Sequence, residues 1–160
     1  MKRLSAMAAM LSTTLALGAC ATGGGLSDAQ QLALYRDHAG EPVPSFNYFG
    51  SINGWTPLGD TAIAVWTRPR EAWLLELHGP CSGLQSTPAI ALTNTMNRVS
   101  ARFDKVLVRD TGSSMDMPCT IREIRPLDVN AIRAAEKQAR EQPEATPPAT
   151  NPDAGKPPAT

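Results

Sequence analysis

The chain predicts an α+β fold: a short N-terminal helix, about five antiparallel strands curled into a small sheet or open barrel, and a closing C-terminal helix. Three observations predict it. Helix-start chemistry occurs twice, at Ser27-Asp28-Ala29-Gln30 and at Pro126-Leu127-Asp128. Between them, apolar residues alternate with a period of two in short runs about ten residues apart, the spacing of a meander. Turn residues separate those runs: Asn53-Gly54, Gly59-Asp60 and Arg68-Pro69-Arg70.

Ser27 opens a capping box, its hydroxyl accepting from the Gln30 backbone while the Gln30 side chain reaches back. Leu32, Tyr35 and Ala39 follow on one helical stripe, and Gly40 before Pro42 stops it, giving a helix over about 28–39. The first strand run, 45–52 (SFNYFGSI), sets Phe46 and Tyr48 against Phe49. The second, 61–67 (TAIAVWT), alternates Ile63 and Val65 with Ala62, Ala64 and Trp66. The third, 71–78 (EAWLLELH), puts Trp73, Leu75 and Leu77 on one face, with Leu74, Glu76 and His78 opposite. Two more runs, 101–109 (ARFDKVLVR) and 119–124 (CTIREI), flank a mobile loop at 110–118. Asp128 then caps the last helix, and Leu127 with Ile132 makes a hydrophobic staple. Val129, Ile132, Ala135 and Ala139 form its thin apolar stripe, and it ends by Pro143. A flat sheet would leave its edges unpaired, so partial closure is expected.

The 160 residues fit one domain. Residues 27–141 form the folded body, enough for one modest core. From Gln142 on, six of 19 residues are proline and none is Val, Ile, Leu or aromatic. Such a stretch buries too little to offset its ordering entropy, so 142–160 reads as a disordered tail. Lys+Arg and Asp+Glu are 15 each, and setting Lys2 and Arg3 aside leaves −2. No basic excess exists to neutralise a phosphate backbone, so nucleic acid is not an expected partner. Two histidines and three cysteines are too few for most multi-ligand metal centres, and no cofactor is expected.

Lys2 and Arg3 precede an apolar run at 6–17, too short to span a ~30 Å hydrocarbon core, and small residues then lead to Cys20. That pattern is a secretory leader. Its end, Leu17-Gly18-Ala19-Cys20, resembles the lipobox of bacterial lipoproteins. The resemblance implies that 1–19 is a signal peptide and that Cys20 becomes the acylated first residue of the mature chain. Two or more acyl chains anchor stably, because each buried methylene adds ~0.8 kcal/mol. Ala21 stands where Asp would signal inner-membrane retention in enterobacterial lipoproteins, which implies the outer membrane facing the periplasm. Residues 20–26 then form the lipidated cysteine and a flexible tether, with three consecutive glycines.

With Cys20 lipidated, Cys81 and Cys119 remain, and an even remainder in an oxidising compartment points to one disulfide. The alternative is a soft-metal site drawn from Cys81, Cys119, His78, Met115 and Met117. The stretches 38–81, ARFDKVLV at 101–108, and PCTIREIRPLDVNAIRAAE at 118–136 resemble a family of bacterial lipoproteins known only as a domain of unknown function. Shared features are a tryptophan before the meander, a "YLLEL"-like strand with Trp73 in place of Tyr, the first cysteine and the ARFD strand. The resemblance implies the domain boundaries and the Cys81–Cys119 pairing, and brings no activity with it.

Catalytic constellations are missing from the sequence. No nucleophile elbow surrounds Ser113 and Ser114, and neither His38 nor His78 has an evident partner. Among the carboxylates Asp60, Glu71, Glu76 and Asp104, the last stands out, but between Arg102 and Lys105 it reads as a salt-bridge partner or strand-end acceptor. Trp66 and Trp73 read as core, while Trp55 in the NGWTP turn is a surface candidate. The expectation is a non-enzymatic, lipid-anchored periplasmic protein with a structural, assembly or binding role at the outer membrane. Its partners would be the membrane, through the lipid, and an envelope protein. The alternative is a small-ligand or metal-binding module of the cell envelope that uses Trp55, His78 and the 110–118 loop, with Asp104 a further ligand-binding candidate and the carboxylate that an envelope hydrolase would need.

Overall fold

The computed structural model describes residues 26–109 and 116–141. The leader, Cys20, Ser113, Ser114, Met115 and the Pro-rich tail lie outside the described residues. Among the described residues, no helix is long and apolar enough to cross a membrane.

Helix α1 (Asp28–Asp37) starts with the expected capping box. The Ser27 N–H donates to Gln30 Oε1 at 2.8 Å, and Ser27 Oγ accepts from the Gln30 N–H at 3.3 Å. The helix stops two residues before Ala39, because Ala39 leaves it to bridge Leu127. The Gly40 N–H then donates to the Pro126 carbonyl at 2.8 Å. A Cβ on Gly40 would stand 3.0 Å from Pro126 Cγ, so this close crossing favours glycine.

Eight strands follow, rather than about five: β1 (Ser45–Asn47), β2 (Gly54–Pro57), β3 (Ala62–Arg68), β4 (Glu71–Leu77), β5 (Ala89–Leu92), β6 (Arg98–Ser100), β7 (Lys105–Arg109) and β8 (Met117–Leu127). Helix α2 (Val129–Glu141) closes the chain. Six strands form one curled antiparallel half-barrel sheet, in the order β2-β3-β4-β8-β7-β5, and β1 pairs with β6 as a separate ribbon. The α+β class, the helix at each end and the curl are as expected. Beyond β5 and β6, which no sequence run anticipated, the strand inventory differs in four places.

The run 45–52 is not the first strand of the meander: only 45–47 is extended, paired with 98–100 far along the chain. The NGWTP segment is edge strand β2, with Trp55 opposite Val65, rather than a turn. Residues Ala101–Phe103 form a turn before β7, so Asp104 precedes that strand instead of lying within it. Finally, Met117 and Pro118 belong to β8 and not to a loop, and Pro126 and Leu127 end that strand instead of opening the helix. Asp128 still caps α2, its Oδ1 accepting from the Asn130 and Ala131 N–H groups at 3.0 Å each.

The sheet is buried on both faces. Its concave side holds Ile63, Val65, Leu75, Leu77, Val106 and Val108, closed over by Phe46, Tyr48 and Val99 of the ribbon region. Its other side carries Ala62, Ala64, Ala72 and Leu74, small enough to seat Tyr35, Val129 and Ile132 of the two helices. Leu127 and Ile132, the expected staple, both lie in this second core. The Tyr35 hydroxyl donates to Glu136 Oε1 at 2.8 Å, tying α1 to α2. Burial, and then the neighbouring Glu136 carboxylate, raise that phenol well above the ordinary tyrosine range.

Strand β8 is the spine, and it carries a bulge. Glu76 pairs with Glu123 but Leu77 pairs with Ile121, so Arg122 is an extra residue in the ladder. The bulge is why Ile121 and Ile124, three apart, both face the concave core. Below it the Cys81–Cys119 disulfide, with Cα atoms 5.8 Å apart, joins the loop after β4 to β8. With the two sulfurs bonded to each other, neither is available as a thiolate for the soft-metal alternative.

Candidate functional site

The β1–β6 ribbon crosses the mouth of the half-barrel and leaves two open depressions along its flanks. One, about 340 Å³, is lined by Ser45, Phe46, Asn47, Arg68, Glu71, Trp73 and Arg98. The other, about 710 Å³, runs between Pro42–Ser45, Arg98, Ser100–Phe103 and the β8 residues Arg122 and Glu123. The two depressions share Ser45 and Arg98 in their linings.

At the floor of the first, Phe46 stacks on Trp73, with ring centroids 4.8 Å apart and planes 13° from parallel. The Trp73 Nε1–H is buried and finds no hydrogen-bond partner among the described residues.

Charge in the depressions is uneven. Arg68 pairs with Glu71 at 3.0 Å, and Arg122 pairs with Glu76. Arg98 and Arg102 have no carboxylate partner among the described residues; Arg98 only donates to Ser45 Oγ at 3.4 Å. The register of the ribbon, Asn47 opposite Arg98 and Ser45 opposite Ser100, keeps polar side chains on one face and buries Phe46 and Val99 on the other.

The chain matches a family of unknown function, DUF6491, over residues 1–143. It belongs to that family. No curated protein and no solved structure matches it. The DUF6491 match spans every described element, and thus both depressions.

In this DUF6491 chain Arg102 adopts φ 70°, a left-handed conformation that costs a non-glycine residue about 1–2 kcal/mol. Asp104 holds the turn that imposes it. Only 6% exposed, Asp104 accepts from the Thr93 hydroxyl at 2.8 Å and from the Ser100 N–H at 2.7 Å. Its own N–H donates back to the Ser100 carbonyl at 3.0 Å, and the Arg102 N–H donates to Ile121 at 2.7 Å. Asp104 is therefore a strand-end acceptor that shapes the turn, without a salt bridge to Arg102 or Lys105. The turn throws Phe103 outward, where it is 82% exposed.

Trp55, His78 and Asp104 do not converge. Trp55 is half-buried against the concave core, and His78 is exposed beyond β4, its N–H donating to the Thr120 carbonyl at 3.1 Å. None of the three lines either depression. Among the described residues, no three His, Cys, Asp or Glu side chains come together as metal ligands. The residues that line the two depressions, Arg98 with Trp73 in one and with Arg102 and Phe103 in the other, carry no motif. The only signal for two of them was the adjacent Arg-Phe of the ARFD segment.

Behind the wall of the larger depression lies a buried carboxylate. Glu76 is 6% exposed on β4 and accepts from Arg36 Nε of α1 at 2.8 Å and from Arg122 of β8. Burial is the largest single influence and opposes ionisation, but hydrogen bonds and charge from the two guanidiniums together outweigh it and hold the carboxyl below the ordinary glutamate value of 4.5. The folded state therefore binds this proton more weakly than the unfolded chain. The resulting stabilisation is complete above the ordinary glutamate value and is lost as pH falls through the lower, folded one. Urea unfolding between pH 7 and pH 3 should show the native protein losing more stability on acidification than Glu76→Gln. Parallel pH profiles would remove Glu76 as the source.

Proposed function

We propose that this DUF6491 chain is a bacterial lipoprotein, acylated at Cys20 and held at the periplasmic face of the outer membrane. Its folded body works as a binding or assembly module, not as an enzyme. The leader pattern and Leu17-Gly18-Ala19-Cys20, both inside the matched region, support the anchor. A disulfide between Cys81 and Cys119 fits an oxidising compartment.

One observation carries the binding role: Arg98, without a carboxylate partner among the described residues, lines both the depression floored by the stacked Phe46 and Trp73 and the one that holds Arg102. General acid–base work needs a carboxyl or imidazole held ready for a proton. The carboxylates lining the depressions, Glu71 and Glu123, are instead each engaged by an arginine, Arg68 and Arg125. A guanidinium without a carboxylate partner among the described residues, beside an aromatic floor, suits recognition of an anionic partner.

Membrane fractionation of the native chain and Cys20→Ala tests the anchor, together with the intact mass of the extracted protein. The native chain is expected in the membrane fraction, with a mass for residues 20–160 plus diacylglyceryl and an acyl group; Cys20→Ala should carry no lipid. Identical fractionation and an unlipidated mass for the native chain would sink the reading.

A further inference from the structure

We propose that the Arg102–Phe103 turn is a membrane-contact ledge that seats on an anionic glycerophospholipid surface and sets the orientation of the body. The inference rests on the lipid-anchored reading above.

The ledge has the chemistry of an interfacial anchor. Phe103 is 82% exposed, and the adjacent Arg102 has no carboxylate partner among the described residues. An aromatic ring placed at the headgroup boundary with a guanidinium at phosphate level is a favourable pairing, because the ring leaves water while the cation stays solvated and meets opposite charge. The turn is also stiff. Asp104 beneath it accepts two hydrogen bonds, and the Arg102 N–H is fixed to the Ile121 carbonyl. A rigid display orients the body, which a flexible loop would not.

Its position points to the membrane as occupant. The first turn of α1 lies against the β2–β3 turn, with Asp28 Cβ 3.8 Å from where a Cβ on Gly59 would stand. From there Leu77 donates to Thr61 at 2.8 Å, Leu77 pairs with Ile121, and Ile121 accepts from Arg102 at 2.7 Å. The start of α1 and the ledge therefore both lie near the level of the Leu77–Ile121 pair, at the C-terminal end of β4 and midway along β8. Cys20 is eight residues before Asp28, so even a fully extended chain holds the acyl groups within about 28 Å of that level. A protein partner would need a contiguous interface near 1,000 Å². A lipid surface needs only a ring and a cation, since the acyl chains already supply the affinity.

Two other well-exposed apolar side chains provide a control. Phe49 and Met96 sit at the turn end of the ribbon, where the Tyr48 N–H donates to Asn97 at 2.7 Å, away from the β6 end that leads to the ledge.

The test uses the full lipidated protein in phosphatidylethanolamine–phosphatidylglycerol vesicles, with and without brominated acyl chains. Phe103→Trp adds an indole at an exposed position that folding does not depend on. Buried ~5–10 Å into the headgroup boundary, it should lose roughly half of its added emission to bromine. Phe49→Trp should keep its added emission, and Arg102→Glu combined with Phe103→Trp should restore most of what was lost. Equal emission from Phe103→Trp in both vesicle types, with the protein still floating with the lipid, overturns the ledge and leaves the anchor standing. A native chain that does not float overturns both.

Discussion

Replacing both Cys81 and Cys119 by alanine is expected to lower the unfolding free energy by about 4 kcal/mol. The two residues are 38 apart, and closing a loop of that length removes roughly this much chain entropy from the unfolded state. The segment so closed carries β5, β6 and β7, and with them Leu92, Val99, Val106 and Val108 of the concave core. Both ends of the bond are fixed independently. The Cys81 N–H donates to the Asp60 carbonyl at 2.8 Å, and Cys119 is in register with Val106. Against a total stability of order 5–15 kcal/mol, a loss of that size is a large share. Thermal unfolding should move down by roughly 15–30 °C. The check is a pair of denaturant curves, native against Cys81→Ala/Cys119→Ala, with the native protein under reductant as a third. Coincident midpoints would mean that the closed segment is already ordered in the unfolded chain.

Deleting Arg122 outright is expected to leave the protein folded. Arg122 is the extra residue of the β8 bulge, and removing it restores strict alternation without moving the pairs Glu76–Glu123 and Leu77–Ile121. Ile121 and Ile124 then stand two apart and keep the concave face, while Glu123 and Arg125 keep the other side. What is lost is one of the two guanidiniums on Glu76 and the extra local twist of the bulge. The substitution Arg122→Ala separates the bulge from the side chain. It keeps the residue count, leaves Glu76 with Arg36, and should cost only about 1 kcal/mol, because the guanidinium is half exposed. Near-UV circular dichroism and thermal melting compare the two. A deletion variant is expected to melt close to Arg122→Ala; one that loses its near-UV spectrum would show that the bulge itself, and not the guanidinium, holds β8 against β4.

How much of this was legible beforehand depends on where the stabilising partner of each segment lies. The capping box at Ser27, the Asp128 cap and the alternation in β3 and β4 are local features, and they were readable from neighbours in the chain. Strands β1, β5 and β6 were not. Each is only three or four residues long and is extended because of a distant partner: Ser45 with Ser100, Ala89 with Arg109. The two prolines of β8 broke its apparent length, and its bulge, which no local propensity encodes, scrambled its alternation. The disulfide was legible from the even cysteine count that remains once Cys20 is set aside. The depressions were not, because Arg98 and Arg102 look like any surface arginine until the fold shows which carboxylates are already taken. Trp55 was the reverse case: a turn-like Asn-Gly disguised an edge strand that half buries its indole.

The strand order leaves the half-barrel with two open margins, β2 and β5. Each is four residues long; β2 terminates in Pro57, and Pro88 stands immediately before β5. An unpaired strand margin is a template on which a second copy can zip up and seed an aggregate, and its hazard grows with length. Here an incoming chain would find only a few consecutive ladder positions, with a proline at the end of one margin and at the threshold of the other. Copies crowded side by side thus lack a long ladder on which to polymerise, and that protection is built into the shortness of its outermost strands.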